Sequence, residues 1–565
     1  MSRDGTDGAR VVLGLWDGHD AGAALVADGR LAFALSEERP SRRKRYSGFP
    51  TLALARALEW AGGHGLRVTD VAVAGASGRA PLRLLEPWYA ASDPFRDPLD
   101  VAGTAARSYE NGVARLPLAR DAERAAGLLA LRLRLRPLLP GPFRLHAVSH
   151  HDAHAFSALL AAPAPGARVL TWDAYGEGVA ATLRDAATPD RADAVLPPRA
   201  ALAFLYGAVT LALGFAEGDE GKVMGLAARG DPDRLRGRFD VLFAADPASP
   251  WLRSPLSRPA VSRLVEGASR EDVAAALQQA VQSRLLGWLA ARLGPAPAPR
   301  PLLLAGGLFA NIRLNQVLAQ SPGVEGVAVF PAMGDGGLAA GAANAAWWRA
   351  YGASAAPIGD AFLGVGFGPD EVLRAVRDSG LPWRRVPDPA RAAAGRLRRG
   401  EVVCRFAGRD EFGPRALGNR SILFDPTVPG LPARVNEALR RDDFMPFGPA
   451  VLAEAADEAW RPLPGTDLRT MTVAVDATSA FARDCPSAVH LDGTSRPQGV
   501  DAGSAPGLRD WIRRFHELGG PPAVINTSFN LHGQPIVHTP ANALDTFRRA
   551  GFPALYLDDL EVTAP

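Results

Sequence analysis

"RVVLGLWDGHDAGAALVADGRLAFALSEER", residues 10–39, is the stretch whose reading decides the fold. Its apolar runs break at "DGHD" and again at "ADGR". Asp-Gly between apolar runs is a hairpin signal, so the stretch reads as strand, turn, strand, turn, strand. "FPTLALARALEWAGG" (49–63) then reads as a helix stopped at glycine, and "DVAVAG" (70–75) as a further short strand.

The same theme returns later. "ARVLTWDAYGEGVAATLRD" (167–185) is a strand, an acidic glycine turn and a strand. "RPLLLAGGLFANIRLNQVL" (300–318) and "GVAVFPAMGDGGLAAGAANAAWW" (326–348) each run from strand through a glycine turn into a helix. This pattern predicts an α/β domain with its site at the strand ends. Two acidic hairpin openings, one per half, resemble a duplicated actin-like or sugar-kinase-like fold, although no literal repeat is present. Residues 85–140 read as mixed and largely helical. The pattern loosens around 350–390, and "EVVCRFAG" (401–408) opens a second domain. "PPAVINTSFNLHGQPIVHTPANALDTF" (521–547) reads as strand, turn, strand and helix.

A chain of 565 residues is too long for one ordinary core, so two or three domains are expected. Apolar and charged contents of 47% and 22% are those of a globular protein, and a net charge of +3 over this length is too small to argue for a nucleic-acid partner. No apolar run is long enough for a membrane span, and the start has no apolar signal core. Two cysteines without metal spacing fit a reducing cytoplasm. Of the 63 basic residues, only Lys44 and Lys222 are lysine. In a chain where arginine is the default cation, a retained compact ammonium marks both as candidates for ligand contact.

His146, His150 and His154 recur at four-residue spacing in "HAVSHHDAHAFS". Residues four apart share a helix face, so His150 and His154 could hold one metal ion, with Asp173 or Asp335 as carboxylate complement. The alternative is a polar helix face or a core histidine. "AGGLFAN" (305–311) could bring backbone amides to a phosphate at a helix start, or serve tight packing alone. "EGDEGKVMGLAARG" (217–230) sets Lys222 among acids and glycines, as a nucleotide loop or an exposed turn. "GRDEFGPRALGNRS" (408–421) interleaves Arg409, Arg415 and Arg420 with glycine and proline, and arginine forks bind phosphate or carboxylate.

Read in order, "GHDAGAALVADG", "EER", "SHHDAHAFSA", "DAYGEG", "GDEGKVMGLA", "LAGGLFAN", "GDGG", "EFGPRALGNRSIL", "PFGPAVL", "DGTSRPQ" and "NTSFNLHGQPIV" resemble the NodU/CmcH carbamoyltransferase family over nearly the whole chain. The resemblance implies an N-terminal duplicated actin-like (ASKHA, TsaD-like) domain at 1–355, a linker at 356–385, and a C-terminal α+β YrdC-like domain at 386–565. It implies an O-carbamoyltransferase of bacterial secondary metabolism, such as antibiotic biosynthesis. The YrdC-like domain would make carbamoyladenylate from carbamoyl phosphate and ATP (with Mg). The TsaD-like domain would carry Fe(II) or another divalent metal and pass the carbamoyl group to a small-molecule hydroxyl, less readily an amine. By position the metal ligands are His150, His154, Asp173 and Asp335, which leaves His146 and His151 outside. Nucleotide contacts map to Glu220, Lys222, Gly306, Gly307 and Asn311, and carbamoyl phosphate contacts to Arg415, Arg496 and Ser528. His19 or Asp20 would be the base for the acceptor hydroxyl, with Arg415 and Arg440 completing the catalytic set. No nucleic acid or membrane partner is implied, and a homodimer is allowed.

"LRRDDFMPFGPAV" (439–451) departs from the family pattern, with Arg440 where lysine stands and Met445 where arginine stands. A charged hydrogen bond contributes about 1.5–3 kcal/mol. Loss of a cation at 445 therefore leaves carbamoyl phosphate binding weakened, supplied instead by Arg441, or lost, the last with altered or absent carbamoyl phosphate activation; a non-catalytic nucleotide-binding scaffold is a separate alternative. Acceptor specificity is expected in residues 80–140 and 235–300.

Overall fold

The computed structural model of the chain describes residues 10–75, 112, 116–163, 165–246, 248–254, 256–295, 298–441 and 447–564. Two compact units result. The first holds the chain up to Glu37 and then Arg45–Ile358; the second holds Glu38–Lys44 and the chain from Gly359. The part of the expected helical region between 76 and 115, apart from position 112, lies outside the described residues, as does Met445.

The opening stretch forms β1 (Val11–Trp16), β2 (Gly22–Ala27) and β3 (Arg30–Ser36), paired antiparallel with Leu13 opposite Leu25 and Ala24 opposite Ala34. The "ADGR" break is a two-residue hairpin. Asp28 and Gly29 both take left-handed angles, φ 49° and 71°, which matches the twist of the flanking strands. β4 (Val68–Ala74) and β5 (Arg144–Val148) run parallel to β1 on its other side, for the order β3-β2-β1-β4-β5.

The second half repeats this plan. β6 (Arg168–Gly176), β7 (Val179–Asp185) and β8 (Ala192–Leu196) form the antiparallel meander, with Glu177 and Gly178 left-handed at its first turn. β9 (Arg300–Ala305) and β10 (Val324–Val329) add in parallel beyond β6, for the order β10-β9-β6-β7-β8. The duplication is one of topology.

Two helices lie between these sheets. Leu338–Tyr351 covers β1, β2 and β4, His150–Ala158 packs on β6 and β9, and the two helices pack on each other. The small residues of "LAAGAANAA" permit this approach; a Cβ on Gly341 would run into the Ala153 carbonyl. Packing on both sides removes the histidine helix from water, so its polar side chains must find partners inside the unit.

The second unit is built on an eight-stranded mixed sheet. Its strands are β11 (Trp383–Arg385), β12 (Val403–Phe406), β13 (Arg420–Phe424), β14 (Gly448–Leu452), β17 (Gln498–Val500), β18 (Ala523–Ser528), β19 (Ala554–Leu557) and β20 (Leu560–Thr563); β15 (Val475–Asp476) and β16 (Thr494–Ser495) pair separately. The order is β11-β20-β19-β12-β13-β18-β14-β17. Residues 356–385, expected as a linker, include the helix Pro369–Asp378 and β11, and Val372, Val376 and Leu381 are buried in the second unit's core. "EGDEGKVMGLAARG" is a helix, Glu220–Ala227, rather than an open loop.

"GQPIV" (533–537) forms no strand. Pro535 has no N–H to give a ladder, and the Pro535 and Ile536 carbonyls are taken by the guanidinium of Arg42, at 2.8 and 2.5 Å. Both cysteines are free and buried. Among the described residues, no helix is long and apolar enough to cross a membrane.

Candidate functional site

The histidine helix starts with two caps. Ser149 Oγ accepts from Asp152 N–H (3.2 Å), and Glu177 Oε2 accepts from His150 N–H (2.7 Å). Both satisfy donors that a helix start leaves open. His150 Nε2 lies 3.0 Å from Asp173 Oδ2, and His154 Nε2 lies 3.2 Å from the same oxygen. The two Nε2 atoms are 3.2 Å apart, and Asp335 Oδ1 stands 3.5 and 3.4 Å from them. One ligand atom from each of the four residues falls within 4.8 Å of all the others, and all four residues are buried.

Asp173 divides its oxygens between two tasks. Oδ1 accepts from the N–H groups of Ala174 (2.8 Å) and Gly307 (3.2 Å), while Oδ2 faces the histidines. The "AGG" turn makes this close approach possible. Gly306 takes φ 115°, and a Cβ there would collide with the Trp172 backbone. On the opposite wall, a Cβ on Gly176 would collide with the His150 ring. Burial pushes Asp173 up, but hydrogen bonds from His150 and His154 bring it well below the usual carboxylate range. Burial would lower His154, yet hydrogen bonds to Asp173 and Asp335 raise it to about 9. Two imidazole nitrogens and two carboxylate oxygens converging with so little space between them suit a divalent cation that accepts mixed N/O ligands.

The other histidines of the run are accounted for. His146 pairs with Asp70 at 2.7 Å. His151 bonds Thr171 Oγ1 (2.8 Å) and the Val179 carbonyl (2.9 Å), and burial holds its pKa far below the ordinary value.

His19 and Asp20 stand beside the cluster. His19 Nε2 is 3.1 Å from Asp335 Oδ2, and His19 Nδ1 is 3.4 Å from Asp20 Oδ2. With His150, Asp173 and Asp335 they line a cleft of about 310 Å3 that also has an apolar wall, including Phe204, Tyr206 and Met224; His154 is fully buried behind it. Of the expected nucleotide residues, Glu220, Gly307 and Asn311 line this cleft. Asn311 is also spent on structure: its amide exchanges hydrogen bonds with Gln278 (2.8 and 3.2 Å) and caps Leu314 N–H (3.0 Å). Lys222 is buried and pairs with Asp219 at 3.1 Å; the lining takes Glu220, Gly221 and Met224 from its helix instead.

The second unit sorts the arginines of "GRDEFGPRALGNRS". Arg409 donates to the Leu363 and Gly364 carbonyls. Arg420 is fully buried on Asp410 (2.9 Å) and over the Phe406 ring (3.7 Å). Arg415 remains, at the crest of a loop that Glu411 closes: Glu411 Oε1 accepts from Leu417, Asn419 and Arg420 N–H at 3.0, 2.8 and 3.0 Å. Arg496 has its pKa pushed far down by burial and by the like charges of Arg415 and Arg441. The Nε atoms of Arg415 and Arg496 are buried without a hydrogen-bond partner. Arg441 donates to Thr527 Oγ1 (2.8 Å), Ser528 Oγ (3.0 Å) and Asn530 Oδ1 (3.1 Å), and burial lowers it to about 10. Arg415, Arg441, Arg496 and Ser528 thus form a basic group suited to an anion.

Arg440, expected beside Arg415 in the catalytic set, is exposed at the left-handed end (φ 58°) of the helix Leu431–Leu439. Arg441 is the one that turns inward. Sequence reading named Arg441 only as a stand-in for position 445, and it passed over Glu177 and Glu411. The signal for Glu177 is a carboxylate at the tip of the β6–β7 hairpin, where it can face a helix start.

Family comparison covers both units. Residues 11–246 and 257–344 match Carbamoyltransferase N-terminus, and residues 394–563 match Carbamoyltransferase C-terminus. The chain is 31% identical to nodulation protein NolNO of Sinorhizobium fredii, over 94% of this chain and 76% of that one. It is 32% identical to nodulation protein NolO of Bradyrhizobium diazoefficiens, over 71% and 76%. An uncharacterised Synechocystis protein is 29% identical over 96% and 94%. Among solved structures, gluconate kinase from Lactobacillus acidophilus covers 59% of this chain and 88% of its own, with 10% identity and a TM-score of 0.30.

Proposed function

Because this chain belongs to the carbamoyltransferase family, we propose that it is an ATP-dependent O-carbamoyltransferase acting on a hydroxyl of a small natural product. The observation that carries this reading is the convergence of His150, His154, Asp173 and Asp335 beside His19 at one cleft. We read the first unit as the actin-like, TsaD-like transfer domain and the second as the YrdC-like activating domain.

In the second unit, Arg415, Arg496 and Ser528, with Arg441, would hold carbamoyl phosphate by its phosphate oxygens. Carbamoyl phosphate and water yield carbamate and phosphate. The carbamate oxygen then attacks the α-phosphorus of ATP, and pyrophosphate leaves. The carbamoyladenylate so formed has AMP as a good leaving group. In the first unit, the apolar wall and Glu220 would receive the nucleotide. His19, with Asp20 beside it, would take the proton of the acceptor hydroxyl as its oxygen bonds the carbamoyl carbon and AMP departs. A divalent metal held by His150, His154, Asp173 and Asp335, with iron the family expectation, would supply Lewis-acid polarisation of the carbamoyl oxygen.

The test needs no acceptor. The full chain should catalyse exchange of labelled pyrophosphate into ATP that depends on added carbamoyl phosphate. Absence of that exchange under metal-replete conditions would overturn the reading. A second reading, activation of a different donor or none, is favoured by Met445. It expects Met445→Arg to leave carbamoyl phosphate use unimproved. A non-catalytic scaffold would have no need of a complete buried ligand set.

A further inference from the structure

Seven residues near the N-terminus, Glu38–Lys44, fold with the second unit, although the chain on both sides of them folds with the first. At one end, Glu37 accepts from Leu52 and Ala53 N–H (3.0 and 2.6 Å) at the start of the helix Thr51–Gly63. At the other, Arg45 donates to Glu217 (2.9 Å) at the cleft. Between these anchors the segment is a strap held down by two arginines.

Arg39 is 2% exposed. Its Nη2 donates to the Glu411 and Gly413 carbonyls (3.3 and 3.0 Å), which lie in the loop that carries Arg415. The Glu411 carboxylate closes the same loop from its far end. Arg42, left-handed at φ 57°, donates to the Pro535 and Ile536 carbonyls. Those carbonyls form the return leg of the turn that begins at Ser528. Asn530 ties the two legs together, its Nδ2 donating to Gln534 O at 3.0 Å, and Val537 N–H reaches Phe529 O at 2.9 Å. The two loops that supply Arg415 and Ser528 are therefore each clamped by one guanidinium from the strap. Burying a guanidinium costs free energy unless its donors are met. In this seven-residue strap these carbonyls offset part of two such costs, while Arg39 Nη1 is buried without a hydrogen-bond partner.

We propose that Arg39 and Arg42 are positioning residues for the anion site: they set the spacing between the Arg415 loop and the Ser528 turn, and thereby the affinity for carbamoyl phosphate. This rests on the carbamoyl phosphate reading above. Neither side chain is assigned a contact with the substrate.

The test compares full-length parent, R39Q and R42Q in pyrophosphate exchange, varying carbamoyl phosphate and ATP separately. Each variant should raise the KM for carbamoyl phosphate about tenfold, as loss of charge-assisted hydrogen bonds would, with KM for ATP and bound metal unchanged. R39K, a single ammonium in place of a fork, should recover only part of the effect. A folded variant with parental KM for carbamoyl phosphate overturns the proposal. So does a uniform fall in kcat with both KM values intact, the mark of a purely structural loss. If R39Q folds poorly, R42Q, whose side chain is only partly buried, decides by the same criteria. A parent that ignores carbamoyl phosphate overturns both this proposal and the functional reading, whereas a carbamoyl phosphate-dependent parent with unaffected variants sinks the strap alone.

Discussion

Asp173 shows how much one side chain must settle. Its Oδ1 is fixed by two backbone amides and its Oδ2 points between two imidazoles. Asp173→Asn keeps the shape but removes the charge. Metal analysis of the purified chain should show occupancy falling from near one equivalent toward none; retention of a full equivalent would remove Asp173 from the ligand set. His154→Ala should go further. It takes away one of the two imidazoles that face both Asp173 and Asp335, and the metal-free protein should lose about 3 kcal/mol, the low end for removing one partner of a buried ion pair, because His150 remains. Denaturant titration in excess chelator measures that loss. At this scale the sequence was partly legible. The four-residue spacing of His150 and His154 is a local pattern, so helix geometry alone put them on one face. Asp173 and Asp335 could be named only as candidates from their strand-end turns, and the family likeness was needed to take both, because 19 or more positions separate them from the histidines and only tertiary packing joins them. Arg440 and Arg441 show the opposite limit. One left-handed residue at a helix end decides which of two adjacent arginines turns inward, and nothing in "LRRDD" announces it.

Among the elements, the meanders were legible because their turns are local. Asp28-Gly29 and Glu177-Gly178 are each a two-residue left-handed pair, and such pairs leave a compositional mark. "GQPIV" was misread as a strand because its partner, Arg42, lies almost 500 residues away. The loop Glu411–Arg420 is a case where one side chain substitutes for secondary structure: three N–H groups end on one carboxylate oxygen. Glu411→Gln keeps an accepting oxygen and should cost about 1 kcal/mol, the difference between a charged and a neutral acceptor. Glu411→Ala leaves the amides without an acceptor in a buried place and should cost about 3 kcal/mol or more. Chemical denaturation of the two variants checks the ranking; equal losses would show that the carboxylate does not organise the loop.

For the whole molecule, the histidine–carboxylate cluster and the basic group fall in different units, each with its own sheets, so a ligand for one should be separable from a ligand for the other. A metal that binds only the folded first unit stabilises it by mass action, by about 2.7 kcal/mol when free metal exceeds its dissociation constant a hundredfold. Chelation should therefore lower the first unit's calorimetric transition, and refilling with iron, manganese or zinc should restore it. Magnesium should not, because two imidazoles among four ligands disfavour a cation that prefers oxygen and retains its water. The control is His154→Ala, whose transition should be indifferent to chelator, while the parent loses stability. Because the second unit contributes none of the four ligands, carbamoyl phosphate should protect the protein equally with and without metal. Calorimetry across the four combinations reads both terms at once. If metal and carbamoyl phosphate protect the chain only jointly, the two sites are energetically one, and the separation of activation from transfer between the units fails.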